Sequence, residues 1–187
     1  MTPPTFYYDL NSPYAWLAAE RVDELAGGEV RWVPVLLGAI FKATGRGSWA
    51  LTGERAAGMA EVERRVAERG LPPVRWPEPW PGDGLAAMRA AVHAHEVGSG
   101  RRFALEAFRT HFVDGRALSE EGSLSLAAER AGLDPSQVLA ATQDPAVKSA
   151  LRRNTDEALA GGVFGVPTLR VDGAVFWGDD RLEEALR

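Results

Sequence analysis

The 187-residue chain contains no cysteine. That absence excludes disulfides, cysteine-ligated zinc, iron–sulfur clusters, a cysteine nucleophile and any thiol–disulfide exchange carried by the chain's own sulfur. It agrees with a reducing compartment. Lysine is almost missing as well: of 21 Lys and Arg residues only Lys42 and Lys148 are lysine, so the cationic chemistry rests on guanidinium groups. There is no excess of positive charge, because 26 Asp and Glu leave a net charge of −5, which argues against a dedicated nucleic-acid binder. No apolar run approaches the roughly 18 residues needed to cross a bilayer. The opening segment MTPPTFYYDLNSPYA has two prolines, an aspartate and none of the basic residues that begin a secretory signal. These features predict a soluble cytoplasmic protein with no membrane or nucleic-acid partner. A hydrophobic content of 45% and a charged content of 25% are ordinary for a globular protein, and the length fits one domain with or without an insertion.

What is present reads as strands at both ends and helices between. Residues 5–10 (TFYYDL) are aromatic-rich and bounded by prolines and Asn-Ser-Pro, a strand signal. Ser12-Pro13 then opens a helix predicted to run to Gly27-Gly28, since serine is a favoured N-cap and proline suits the first helical position. Residues 29–37 (EVRWVPVLL) predict a second strand. Helical periods follow at 53–69, 85–99, 101–114, 119–131 and 135–141, interrupted by the proline-rich stretch LPPVRWPEPWPGDG at 71–84. Asp144-Pro145 predicts a helix to about residue 159. Two short strands at 168–172 and 174–177 flank Asp172-Gly173, a hairpin signal. Asp179 or Asp180 is the expected cap of a last helix. The order β-α-β, helical block, α-β-β-α predicts an α/β fold in which one sheet draws strands from both chain ends.

Three segments carry the chemistry. Ser12 stands at a strand-to-helix junction, where free backbone N–H groups and a hydroxyl can stabilise an anion; a plain capping role fits the same residue. Val166-Pro167-Thr168 begins a strand. Trp177-Gly178-Asp179-Asp180 places carboxylates at a helix start, suited to an amino-acid-like ligand. His93 and His95 are two apart on a helix and do not share a face, so no metal site is predicted.

Together these segments resemble the thioredoxin-fold family of DsbA-like oxidoreductases, kappa-class glutathione transferases and 2-hydroxychromene-2-carboxylate isomerases, the isomerase branch most closely. The resemblance is carried by Phe6–Ala18 (FYYDLNSPYAWLA), by 36–45 (LLGAIFKATG), by Gly70-Leu71-Pro72 with Arg75-Trp76-Pro77, and by GVFGVPT at 162–168 with VDG at 171–173 and FWGDDRL at 176–182. It spans nearly the whole chain. It implies a single thioredoxin-like domain over 1–187, with thioredoxin-like parts at about 1–40 and 142–187 and a helical insertion at about 41–141. It places Ser12 and Ala15 where redox relatives keep their two cysteines, so the sulfur would come from glutathione or another low-molecular-weight thiol. It implies that Ser12 hydrogen-bonds that sulfur, that Val166 precedes a cis Pro167 and pairs through its backbone with the tripeptide, and that Gly178, Asp179 and Asp180 hold its γ-glutamyl end. It assigns Lys42 and Trp80 to a small aromatic substrate. Where the family commonly has Asn, this chain has Asp179 and Arg46. The implied activity is glutathione-dependent isomerisation of 2-hydroxychromene-2-carboxylate or a related intermediate of aromatic degradation. A kappa-like transferase and a non-catalytic thiol- or peptide-binding protein are the alternatives, and the resemblance allows a homodimer.

Overall fold

A computed structural model describes residues 2–187 of the chain. Four strands form one sheet in the order β2-β1-β3-β4. They are β1 (Thr5–Tyr8), β2 (Arg31–Pro34), β3 (Thr168–Val171) and β4 (Ala174–Trp177). β1 runs parallel to β2, with Phe6 opposite Trp32, and antiparallel to β3, with Phe6 opposite Leu169. β3 and β4 form the hairpin predicted at Asp172-Gly173, where Asp172 takes the left-handed conformation (φ 49°). Pro34 is tolerated because β2 is an edge strand and Pro34 ends it.

The helices are α1 (Pro13–Ala19), α2 (Val22–Ala26), α3 (Leu37–Thr44), α4 (Arg55–Glu68), α5 (Leu85–Glu96), α6 (Gly100–Phe112), α7 (Glu121–Arg130), α8 (Pro135–Ala141), α9 (Pro145–Ala160) and α10 (Leu182–Ala185). Three differences from the sequence reading stand out. The single helix predicted after Ser12 is two, because the chain turns at Glu20-Arg21. The strand predicted to run to residue 37 stops at Pro34, and Leu37–Thr44 is helical instead. The last helix has no side-chain cap from Asp179 or Asp180; a short 3₁₀ turn at Asp179–Arg181 precedes α10.

β1 is buried on both sides, and its alternation divides the core. Phe6 and Tyr8 enter the larger cluster with Trp16, Trp32, Phe103 and Phe108. Tyr7 enters a smaller one with Val33, Val35, Ile40 and Val166 beneath α3 and α9. The larger cluster joins the sheet to the helices between β2 and β3, so these are packed as part of the same molecule. Among the described residues no helix is long and apolar enough to cross a membrane.

Candidate active site

A cavity of about 920 Å³ opens where the ends of the sheet meet the helical block. Its wall includes Ser12, Pro13 and Tyr14 from the start of α1, Arg46 and Trp49 from the α3–α4 connection, Trp80 and Pro81 from the proline-rich loop, Val166 and Pro167 before β3, and Gly178, Asp179 and Asp180 after β4. Residues far apart in sequence therefore converge, and of the residues singled out from the sequence only Lys42 stays outside. It is exposed on α3, and the cation lining the cavity nearby is Arg46.

The junction that carries Ser12 is built by local rules and held by a distant one. Ser12 Oγ accepts the Ala15 N–H at 3.2 Å, which makes it the N-cap of α1, with Pro13 at the first helical position. No acceptor for the Ser12 hydroxyl hydrogen lies among the described residues, so a buried hydroxyl faces the cavity with its donor free. Behind it, Asp9 is buried and accepts the Asn11 and Leu37 N–H groups, each at 2.9 Å. Burial pushes its carboxyl upward and these two bonds pull it back. Asn11 donates to the Gly82 carbonyl at 3.0 Å and accepts the Trp80 indole N–H at 3.1 Å, which docks the proline-rich loop onto the Ser12 turn.

Opposite Ser12, the Val166–Pro167 peptide is cis. Val166 is buried and lines the cavity, and its backbone makes no hydrogen bond among the described residues. Gly178 N–H donates to the Pro167 carbonyl at 2.9 Å, so the segment before β3 and the turn after β4 are tied together. Gly178 has φ +117°, and a Cβ there would collide with the Asp180 carboxylate, so only glycine fits the turn.

The two aspartates differ. Asp180 is exposed and makes no ion pair among the described residues. Asp179 is 1% exposed, and its carboxylate is committed. One oxygen accepts from Arg65 at 2.6 Å, and the other forms an ion pair with Arg69 by proximity, without the angle of a hydrogen bond. The pair of carboxylates expected to face a ligand is thus one carboxylate, Asp180; Asp179 secures the turn to α4. Arg65 also sits over the Tyr14 ring at 5.4 Å. Burial raises the Tyr14 phenol and Arg65 lowers it again.

Trp80 lines the cavity but is 5% exposed, with Trp76 at 4.5 Å and Trp49 at 5.4 Å between ring centroids. Arg46, Trp49 and Arg65 were not singled out as site residues. For Trp49 the local signal is Gly58 inside α4, since a helix-interior glycine marks a close approach. Among the described residues no group of three or more His, Cys, Asp or Glu is placed to hold a metal ion.

The cavity presents the free hydroxyl of Ser12, an unpaired backbone segment at Val166, the unpaired carboxylate of Asp180 and an aromatic wall. Comparison with known proteins agrees in extent. The 2-hydroxychromene-2-carboxylate isomerase of Sphingobium xenophagum is 27% identical over 184 residues, covering 95% of this chain and 93% of that protein. Glutathione S-transferase kappa 1 of Homo sapiens is 27% identical over 194 residues, covering 95% and 86%. A solved structure of 2-hydroxychromene-2-carboxylate isomerase superposes with a TM-score of 0.86 at 23% identity, covering 97% and 91% of the two chains, a likeness of fold. A family model of the DSBA-like thioredoxin domain matches residues 5–187, from β1 through α10, and the chain belongs to that family, with a thioredoxin-like α/β fold.

Proposed function

We propose that the protein is a glutathione-dependent isomerase acting on 2-hydroxychromene-2-carboxylate or a related aromatic-degradation intermediate. The observation that carries the reading is that the free hydroxyl of Ser12 and the unpaired backbone of Val166 line one cavity in a chain with no cysteine. A reacting sulfur has to be brought in, and these groups are arranged to hold one. The relatives of similar length support the class of reaction.

Glutathione, when bound, would supply a thiolate nucleophile that is regenerated, so that no thiol would be consumed. The chain's own residues orient and stabilise. Ser12 Oγ donates its hydrogen to the thiolate and keeps it ionised. The Val166 backbone N–H and C=O pair with the cysteinyl unit as a sheet edge would. Asp180 accepts from the α-ammonium of the γ-glutamyl end, and the Gly178 turn brings it within reach. Asp179 acts through Arg65 and Arg69 to keep that turn in place. With no thiol of its own, the chain is read as something other than a disulfide oxidoreductase. We place it in the cytoplasm, where reduced thiol is abundant.

The equal identity to the kappa transferase favours a second reading, transfer of glutathione to an electrophile. Incubation with a chlorinated nitroarene separates the two: conjugate accumulates with a transferase, and free thiol is recovered with an isomerase.

Ser12→Ala tests the main reading. Turnover falls by about 100-fold, the range of one lost oxyanion-type donor. The loss of the helix cap costs about 1 kcal/mol of stability, so the fold persists. Near-wild-type turnover in this variant, or calorimetry showing no binding of glutathione or any other small thiol to the unaltered protein, overturns the proposal.

A further inference from the structure

The second substrate needs a seat, and Trp80 lines the cavity but offers it little free surface. Lys42 lies outside the cavity. Trp80 is enclosed by Trp76, Trp49 and the Arg55 guanidinium, which sits 5.2 Å from its ring centroid, and its indole N–H is committed to Asn11. The connection between α3 and α4 offers different groups. Trp49 is only partly buried and lines the cavity. Its indole rests on the backbone of α4, because a Cβ at Gly58 would fall 2.3 Å from Cε3 and 2.4 Å from Cζ3 of the ring. The turn that carries it is pinned at both ends. Ser48 Oγ accepts the Ala50 N–H at 3.2 Å, and Arg55 donates to the Ala50 carbonyl at 3.2 Å. An indole held against α4 at Gly58 and flanked by Tyr14 and Trp80 is a fixed aromatic wall for a planar ring.

Arg46, three residues earlier, lines the same cavity. Its guanidinium carbon lies 5.2 Å from the Phe164 ring centroid and 4.7 Å from that of Trp177. Stacking of this kind fixes the plane of a guanidinium and leaves its N–H edge available. The other cavity arginines are spoken for: Arg65 by Asp179 and Glu61, and Arg181 by Glu184. The Arg46 guanidinium makes no ion pair or hydrogen bond among the described residues. An unpaired guanidinium beside an aromatic wall is complementary to a flat ring that bears a carboxylate.

We propose that Trp49 and Arg46 form the seat of a planar aromatic acid, Trp49 against its ring and Arg46 on its carboxylate. The inference rests on the function proposed above in taking that acid to be the second substrate. Naphthalene-2-carboxylate, which cannot react, serves as the probe, with naphthalene-2-methanol as its uncharged counterpart and glutathione titrated separately on every variant.

Calorimetry on Trp49→Ala is expected to show about fivefold weaker binding of naphthalene-2-carboxylate, and Trp49→Phe to recover most of it. Arg46→Gln weakens the carboxylate about tenfold and leaves the alcohol unchanged. Glutathione affinity holds in all of them. Unchanged carboxylate binding in Trp49→Ala and Arg46→Gln overturns the seat, as does an unaltered protein that binds no naphthalene-2-carboxylate. A loss in Arg46→Gln that appears with glutathione instead overturns it too, by assigning Arg46 to a carboxylate of the thiol. The expected pattern with naphthalene-2-carboxylate, but no glutathione binding to any form, would sustain the seat and remove the thiol-dependent function.

Discussion

Asp179 and Asp180 are neighbours in the chain and opposite in circumstance. Asp179 is enclosed by Arg65 on α4 and Arg69 just past its end, while Asp180 stands exposed at the cavity. Removing one partner of a buried ionic cluster leaves the remaining charge uncompensated. Asp179→Asn is therefore expected to lower stability by about 3 kcal/mol in chemical denaturation. Asp180→Asn is expected to change stability by less than about 0.5 kcal/mol and to act on thiol affinity instead. The same pair shows what sequence reasoning reaches at this scale. Ser12, Val166, Gly178 and Asp180 were legible because each marks a junction between a strand and a turn or helix, and such punctuation is local. The burial of Asp179 was not, since its partners, Arg65 on α4 and Arg69 just past its end, lie more than a hundred residues earlier. Arg46 was noticed only as a departure from a pattern; what makes it a cavity residue is the stacking on Phe164 and Trp177.

At the level of elements, caps decide what could be read. α8 and α9 were predicted from Asp134-Pro135 and Asp144-Pro145, and both aspartates accept the N–H two residues on, from Ser136 at 2.8 Å and Ala146 at 2.7 Å. Asp144→Ala is expected to cost about 1 kcal/mol of stability in a thermal melt, with thiol binding unaffected because no residue of α9 lines the cavity. α3 has no such signal. Its first N–H, that of Leu37, is satisfied by Asp9, so its cap comes from the end of β1 rather than from the preceding residue. Glu20, where the predicted first helix breaks, is likewise engaged by a tertiary partner, the fork of Arg109, beside the local indole of Trp16. Elements capped by their own flanks were legible, and those finished by another part of the molecule were not.

For the whole molecule, the α/β class and the joining of both chain ends in one sheet were readable from element order, whereas the position of β1 between β2 and β3 was not, because register is set by partners. Two histidines, His111 buried and His95 partly buried, give the assembled protein an acid limit. Burial holds His95 and His111 down to about 4 from an ordinary 6.5. Between those values the unfolded chain takes up protons that the folded one refuses. Stability is therefore full above about pH 6.5 and declines as pH falls toward 4, each histidine contributing a slope of about 1.4 kcal/mol per pH unit. Asp9 acts in the opposite sense, since burial raises its carboxyl, and it moderates the decline. Urea midpoints measured from pH 7 to pH 4.5 should fall, and His111→Gln should flatten the slope; a flat profile in the unaltered protein would count against both histidines being held neutral. The central pairing of the sheet also has a temporal side. β1 leaves the ribosome before the whole helical block, and its antiparallel partner β3 only after that block. Until β3 arrives, one edge of β1 has no strand beside it, and Ser12 has neither Val166 nor Gly178 opposite. A nascent chain therefore gains its pocket only once β3 and β4 have emerged, and any segment that shields the TFYY edge meanwhile, the helices between β2 and β3 or a chaperone, guards against pairing between neighbouring unfinished chains.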